Sequence, residues 1–256
     1  MKTFLLPLFC LFALNISAGP LIEPDSLVQD SVHHDTVRMY KRPKAFLVPV
    51  VLVGYGLSSF VIHPIRNIDY WARAEVAATA PNYNSKVADY MQIAPAAAVY
   101  ALNLVGVEGK NRFVDRTALL ALSAGILSVA DGSKFLAKRT RPYGTDPLSF
   151  PSGHTGAAFL CAEYFVQEYG DKSVWYSVAA YTCATATGVL RVYGRAHWVS
   201  DCVAGAGLGM LSTKAAYLLY PHVKNWLSHK TKYGLSTTVM PNYEYGVPGL
   251  TFAAQM

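Results

Sequence analysis

Residues 198–220 read WVSDCVAGAGLGMLSTKAAYLLY, and this apolar run decides the fold. It is too long for a β-strand, since strands usually have about 3–10 residues. Gly205 and Gly209 lie four positions apart, a spacing at which small residues allow two helices to approach closely. We therefore predict a helix that packs tightly against a neighbour.

Five similar segments precede this run, and most of them are rich in Ala, Leu, Val and Gly. They cover residues 46–62, 90–107, 117–136, 154–168 and 173–191. Their lengths favour helices over strands. The sequence thus predicts an all-α protein, a bundle of about six core helices.

Composition favours a membrane as the surroundings of this bundle. Hydrophobic residues make up 52% of the chain and charged residues 15%, against about 25% charged in soluble domains. Aromatic residues crowd the segment ends, as they do at membrane interfaces: Tyr70, Trp71, Tyr90, Tyr169, Trp175, Trp198, Tyr217 and Tyr220. Four charged residues interrupt the segments: Asp131, Lys134, Glu163 and Lys214. We predict a membrane-embedded bundle, with a soluble periplasmic bundle as the alternative.

The two ends of the chain differ from the bundle. Residues 1–18 have the lysine, apolar run and small residues of a secretory signal peptide, and an uncleaved anchor is the alternative. Residues 19–44 are a polar lead-in, and residues 45–225 form the helical domain. Residues 226–256 contain Pro and Gly and alternate loosely, which predicts a short extended tail or hairpin.

The first of three polar clusters is basic. Lys134 and Arg141 lie seven residues apart, two helical turns, so both can point to one side. Pro142 then ends the helix. Taken alone, such a cluster is typical of a solvated helix end.

The second cluster is the sequence PSGH at residues 151–154. Proline followed by Ser152 is a signal for a helix start, and the amides of such a start attract anions. Gly153 lets a ligand approach the backbone. His154 adds a group that exchanges protons near neutral pH.

The third cluster joins Arg191, His197 and Asp201. His197 and Asp201 are four residues apart, so in a helix they share one face and can form a hydrogen bond. A carboxylate on one ring nitrogen leaves the other nitrogen free as a base or nucleophile. Metal binding by this pair is the competing interpretation, but the neighbouring cations would repel a metal ion.

Considered together, the clusters indicate an anion site. The chain has a formal net charge of +6, which suits anionic partners. Cations within apolar segments are costly unless they meet an anion. A phosphoryl group would satisfy all three clusters.

These motifs resemble the type-2 phosphatidic acid phosphatase superfamily. Its signature is a Lys, six residues and Arg-Pro; then Pro-Ser-Gly-His; then an Arg, five residues, a His, three residues and an Asp. The matching positions are Lys134, Arg141, Pro142, Pro151, Ser152, Gly153, His154, Arg191, His197 and Asp201. Leu190 departs from the pattern, because the family often has Ser there. The resemblance covers roughly residues 90–220.

The resemblance implies a reaction through a phosphohistidine. His197 attacks phosphorus, Asp201 orients it, and His154 protonates the leaving oxygen and then activates water. The phosphoryl oxygens are held by Lys134, Arg141, Ser152, Gly153 and Arg191. Fixed cations supply the electrostatic stabilisation, so neither a metal nor a cofactor is expected. Three further cations are possible secondary substrate contacts: Lys138, Arg139 and Arg195.

The expected substrate is a phosphorylated lipid, with lipid A phosphate first, at the periplasmic face of a bacterial inner membrane. We expect membrane lipids but no nucleic acid as partners. Undecaprenyl pyrophosphate, phosphatidylglycerophosphate and the small esters of a nonspecific periplasmic acid phosphatase are the alternatives. A vanadium haloperoxidase or a binding protein without turnover fits the residues less well.

Overall fold

The computed structural model describes residues 43–81, 83, 86–227, 236–244 and 247–255. The predicted signal peptide and nearly all of the lead-in lie outside these residues. The described chain has a short 3₁₀ helix at Pro43–Phe46 and then the α-helices α1 (Leu47–Ser58), α2 (His63–Thr79), α3 (Val87–Met91), α4 (Ala94–Leu104), α5 (Phe113–Asp131), α6 (Lys134–Ala137), α7 (Gly153–Tyr169), α8 (Val174–Tyr193) and α9 (Val199–Leu227).

Helices α7 and α9 pack together at the centre of the bundle. A side chain added at Gly209 would meet the carbonyl oxygen of Gly156, and one at Gly205 would lie 2.5 Å from that of Ser152. The close approach predicted from the small residues of the long apolar run is therefore confirmed. Helix α8 covers another side of α7, while α1 and α5 pack on α9.

The hydrophobic core lies along α7, where Leu160, Tyr164 and Tyr169 are fully buried or nearly so. Val99 of α4 and Leu119 of α5 close it from the other side. The six predicted apolar segments coincide with α1, α4, α5, α7, α8 and α9. The predicted all-α bundle is confirmed.

The predicted aromatic belt is correct in part. Tyr70, Trp71, Tyr90 and Trp175 are exposed, as an interfacial role requires. Three other members are buried instead: Tyr169, Trp198 and Tyr217. Their polar atoms find partners inside the protein; the Trp198 indole, for example, donates to the Thr140 carbonyl at 2.8 Å. A large ring at a helix end is consistent with either position.

The charged residues inside the apolar segments are paired. Lys134 Nζ lies 2.6 Å from Asp131, and Lys214 Nζ lies 2.5 Å from Glu163. The second pair is buried between α7 and α9. Charges within apolar surroundings are tolerated when they meet a partner.

Helix α2 had no counterpart among the predicted core segments. It carries several charged residues and buries only Asp69 and Val76. Helices α1 and α2 meet at an angle of 84° after the turn that follows Ser58. This bend brings Asp69 back against the start of α9, where Ser200 donates to it through both its amide and its hydroxyl.

Within the described residues, two helical stretches are long and apolar enough to cross a membrane: Phe113–Ala137 and Val199–Asn225. The bent pair α1 and α2 would add a third span if it counts as one. The first stretch is only 17% buried inside the protein, and large apolar side chains such as Val129 and Leu136 are exposed on it. An apolar surface of this kind suits contact with lipid.

Two strands follow the bundle. Strand β1 (Ser236–Glu244) pairs antiparallel with β2 (Val247–Gln255). Ser236 lies opposite Gln255, and Glu244 lies opposite Val247. Of the two forms predicted for the C-terminal tail, the structure has the hairpin.

Candidate active site

His197 lies in the turn between α8 and α9 and is 2% exposed. Its Nδ1 is 2.7 Å from the Ser149 carbonyl oxygen. A carbonyl only accepts hydrogen bonds, so Nδ1 carries the proton and Nε2 keeps a lone pair. Burial, reinforced by the positive charge of Arg141, lowers the pKa of His197 to about 3. The ring is therefore neutral at neutral pH, as a nucleophile must be.

The predicted direct hydrogen bond from His197 to Asp201 was wrong. The carboxylate of Asp201 accepts from Ser149 Oγ at 2.5 Å and from the Trp198 amide at 3.0 Å. The four-residue spacing puts two side chains on one face only when both lie in a helix, and α9 begins at Val199. Asp201 thus reaches the imidazole through Ser149, which bonds the carboxylate with its hydroxyl and the ring with its carbonyl.

His154 lies in the first turn of α7, with its side chain 34% exposed. Its Nε2 is 3.0 Å from Oδ1 of Asp89, a residue of the short helix α3. The same oxygen is 3.4 Å from a guanidinium nitrogen of Arg191. Burial and the charge of Arg191 lower the pKa of His154, while Asp89 raises it.

The three predicted phosphate-binding cations share one location. Lys134, Arg141 and Arg191 all act electrostatically on His197. Their side chains are each 17–18% exposed. Each also has a carboxylate close by; Arg141 Nε, for instance, lies 2.9 Å from Asp146. Hence each of the three cations is paired with a carboxylate of the protein: Asp131, Asp146 and Asp89.

Ser152 and Gly153 hold the start of α7 in place. The Ser152 hydroxyl caps the helix by accepting from the Thr155 amide at 3.5 Å, and its own amide donates to the Asp201 carbonyl at 3.1 Å. A side chain at Gly153 would lie 3.0 Å from Lys134 Nζ. The second motif is therefore tied to the third through the backbone, and to the first through the close approach of Lys134.

The three proposed secondary cations have different surroundings. Lys138 is exposed, and Arg195 donates to the Pro81 carbonyl at 2.8 Å. Arg139 is 6% exposed and lies 2.7 Å from Asp201 and 2.5 Å from Asp69. The expectation that Arg139 contacts substrate was thus wrong, because its charge is used inside the protein.

Sequence reasoning missed two residues of this site, Ser149 and Asp89. Ser149 lies two positions before the PSGH motif, and a lone serine in a loop gives no signal of its own. Along the chain, Asp89 is 65 positions from His154 and 102 positions from Arg191. No spacing rule connects residues so distant, and only the packing of α3 against α7 and α8 brings them together.

The described residues form a helical bundle that has two helices long and apolar enough to cross a membrane and brings three cations and two histidines together. The family model of the PAP2 superfamily matches residues 117–224, which contain all three motifs. The resemblance to the type-2 phosphatidic acid phosphatases is thereby confirmed over residues 117–224, which match the PAP2 superfamily.

A curated relative matches over a longer stretch. The chain is 31% identical over 233 residues to the lipid A 1-phosphatase of Porphyromonas gingivalis. The match covers 84% of this chain and 50% of that protein, so the chain spans about half the length of its relative. No solved structure matched the chain.

Proposed function

We propose that this chain is a lipid phosphatase that removes a phosphate monoester through a phosphohistidine at His197, with lipid A phosphate as the lead substrate. One observation carries the proposal. A buried neutral imidazole with a free Nε2 lies under the influence of three cations, Lys134, Arg141 and Arg191. A nucleophile and a set of positive charges in one place are what attack on a phosphate ester requires.

The first step forms a bond between Nε2 of His197 and phosphorus, and the bond from phosphorus to the lipid oxygen breaks. The imidazole becomes positively charged in this step because Nδ1 keeps the proton that it donates to the Ser149 carbonyl. Asp201, linked to the ring through Ser149, lies close enough to stabilise that charge. His154 gives its proton to the departing oxygen.

In the second step water attacks phosphorus, and the bond to His197 breaks. His154, now without its proton, takes one from the water. Inorganic phosphate leaves, and both histidines return to their starting states. No other reactant is needed for the atoms and charges to balance.

The cations stabilise the charge that develops on the phosphoryl oxygens. Among the described residues, four buried side-chain nitrogens lack a hydrogen-bond partner, and one of them is Nε of Arg191. Nε of Arg141 is another, but it already lies 2.9 Å from Asp146. The other two belong to Arg116, which lies beside Glu168. Donors left unsatisfied at a buried position favour a site that a ligand completes.

Two further observations favour a lipid substrate. The stretch Phe113–Ala137 exposes large apolar side chains such as Val129 and Leu136, which suits contact with the lipid of a bilayer. The relative from Porphyromonas gingivalis is named for action on the 1-phosphate of lipid A, and we propose the same position here. Because residues 1–18 have the pattern of a secretory signal peptide, we propose that the site lies at the periplasmic face of the inner membrane.

The test uses the full chain purified in detergent, with bisphosphorylated lipid A as substrate. Phosphate release and mass spectrometry of the lipid report which phosphate is lost. His197→Ala should lower turnover by about 10⁴–10⁶-fold, as loss of a nucleophile does elsewhere. His222→Ala is the matched control, since His222 is an exposed histidine of α9.

Rapid quenching with radiolabelled substrate should trap labelled protein in the wild type and none in His197→Ala. Full activity of His197→Ala would refute the nucleophile. Intact lipid A, with phosphate released from undecaprenyl pyrophosphate, phosphatidylglycerophosphate or a small ester, would refute the substrate but not the chemistry.

A further inference from the structure

Asp89 is a carboxylate at the centre of the site that no motif of the family includes. Its Oδ1 lies 3.0 Å from Nε2 of His154 and 3.4 Å from Arg191. Its own side chain is 44% exposed, on a helix of five residues. The imidazole nitrogen is the nearer of its two partners, while the Arg191 guanidinium donates a hydrogen bond to the same oxygen.

We infer that Asp89 is a positioning residue for the general acid: it fixes the His154 ring through Nε2, so that Nδ1 is the nitrogen that gives its proton to the leaving oxygen. The inference deepens the proposed function and rests on it. The two histidines thus use different ring nitrogens, since His197 reacts through Nε2 and His154 through Nδ1.

The cations near His154 oppose its protonation. His154 lies beside two cations of the phosphate clamp, Lys134 of α6 and Arg191 of α8. Both of them, together with burial, lower the pKa of His154 and so favour the neutral ring. When Nε2–H faces the Asp89 carboxylate, a neutral ring has no proton on Nδ1, so only the doubly protonated ring can give one to the leaving oxygen.

Asp89 of α3 opposes these effects. It is the one anion among the groups that act on His154, and it raises the pKa of the ring both as a charge and as a hydrogen-bond partner. The remaining carboxylate nearby, Asp131 of α5, is paired with Lys134 at 2.6 Å. Asp89 therefore keeps the acid protonated in a site whose cations favour the opposite.

The same geometry has a competing explanation. Asp89 touches both His154 and Arg191, so its carboxylate could occupy the place of a substrate oxygen and be displaced on binding. The two explanations predict opposite effects of removing the Asp89 carboxylate. Removal of a positioning residue lowers activity, whereas removal of an occupant strengthens the binding of phosphate and lowers KM.

The experiment compares kcat/KM of wild type, Asp89→Asn and Asp89→Glu from about pH 5 to about pH 9, around the pKa of histidine. The acid must be protonated, so activity falls as pH rises above the pKa of His154. Asparagine removes the charge, and the falling limb should move to lower pH by about one unit. At pH values above the falling limb, kcat/KM of Asp89→Asn should be about tenfold lower than that of the wild type, and at acid pH the two should be nearly equal. Asp89→Glu should return the falling limb most of the way to its wild-type pH.

Two control variants separate this effect from a general change in charge. Asp146→Asn removes a carboxylate that lies beside Arg141 and not beside His154, and it should leave the limb in place. Asp171→Asn removes an exposed partner of Lys110 and should change neither limb nor rate.

A second measurement needs no turnover. In the His197→Ala background, titration of ¹⁵N-labelled histidine by NMR should give a lower midpoint for His154 once Asp89→Asn is added. An unmoved midpoint, an equal loss of rate at every pH, or a lower KM in Asp89→Asn would each overturn the inference. If the wild type hydrolyses no phosphate ester, the proposed function fails instead, and the NMR titration still decides the role of Asp89.

Discussion

Arg139 gives the sharpest prediction about stability. Its side chain is 5% exposed and lies between the carboxylates of Asp69 and Asp201, which are 1% and 0% exposed. The rings of Phe60 and Trp198 flank the guanidinium at 5.1 and 5.8 Å. Arg139→Met keeps an apolar side chain of similar length but leaves two buried carboxylates without their shared cation.

Breaking a buried ion pair by removing one partner costs about 3–5 kcal/mol. For a protein of this size, 1 kcal/mol corresponds to a shift of about 2–4 °C in Tm. Arg139→Met should therefore lower Tm in detergent by about 6–20 °C. The loss should be partly recovered when Asp69→Asn is added, because one of the two carboxylates that share the Arg139 cation is then neutral.

The matched control is Arg195→Met, which removes an arginine that contacts only the Pro81 carbonyl among the hydrogen bonds of the described residues. Its Tm should stay within about 2 °C of the wild type, since substitutions away from buried networks cost about 0.5 kcal/mol or less. If Arg139→Met were as stable as Arg195→Met, the assignment of Arg139 to a buried network that supports Asp201 would be refuted.

Two further predictions concern the site itself. Gly153→Ala puts a methyl group 3.0 Å from Lys134 Nζ, and the displaced amine should cost about 10²-fold in kcat/KM on lipid A, whereas the same change at the open position Gly144 should cost nothing; equal rates would contradict the close approach. Ser149→Ala keeps the carbonyl that holds His197 but removes the hydrogen bond to Asp201, so kcat should fall by about tenfold or more, in keeping with about 1.5–3 kcal/mol for a bond to a charged group, while KM stays the same; an unchanged kcat would show that Asp201 acts without Ser149.

The sequence was sufficient for the six core helices and for locating the residues of the three motifs. Apolar runs such as 198–220 are long enough to exclude strands. The spacing of Gly205 and Gly209 predicts a close helix contact, which the structure shows to be with α7. The motif positions could be read directly because their spacing is local to each helix end. Their convergence followed from chemistry, since cations in apolar segments need an anion.

What could not be predicted depends on distant packing. Asp201 was expected to form a hydrogen bond with His197 because helical periodicity was extended back to His197. That residue lies two positions before the start of α9. Arg139 resembles its neighbour Lys138 in sequence, yet the first is buried and the second exposed. Asp69 and Asp89 reach the site from α2 and α3. These helices contain charged residues, so in the sequence they look like surface segments. These differences are tertiary, and no local pattern carries them.

The charges buried in α7 have a consequence for how the protein enters its membrane. Helix α7 contains Glu163 and Glu168, and it is not among the stretches apolar enough to cross a bilayer alone. Their cations lie on other helices, Lys214 on α9 and Arg116 on α5. Helix α7 thus becomes acceptable to an apolar environment only after α5 and α9 have reached it, although α9 is made last. The helix that carries His154 is completed by a segment synthesised some fifty residues later, so we expect α7 to insert only together with α9.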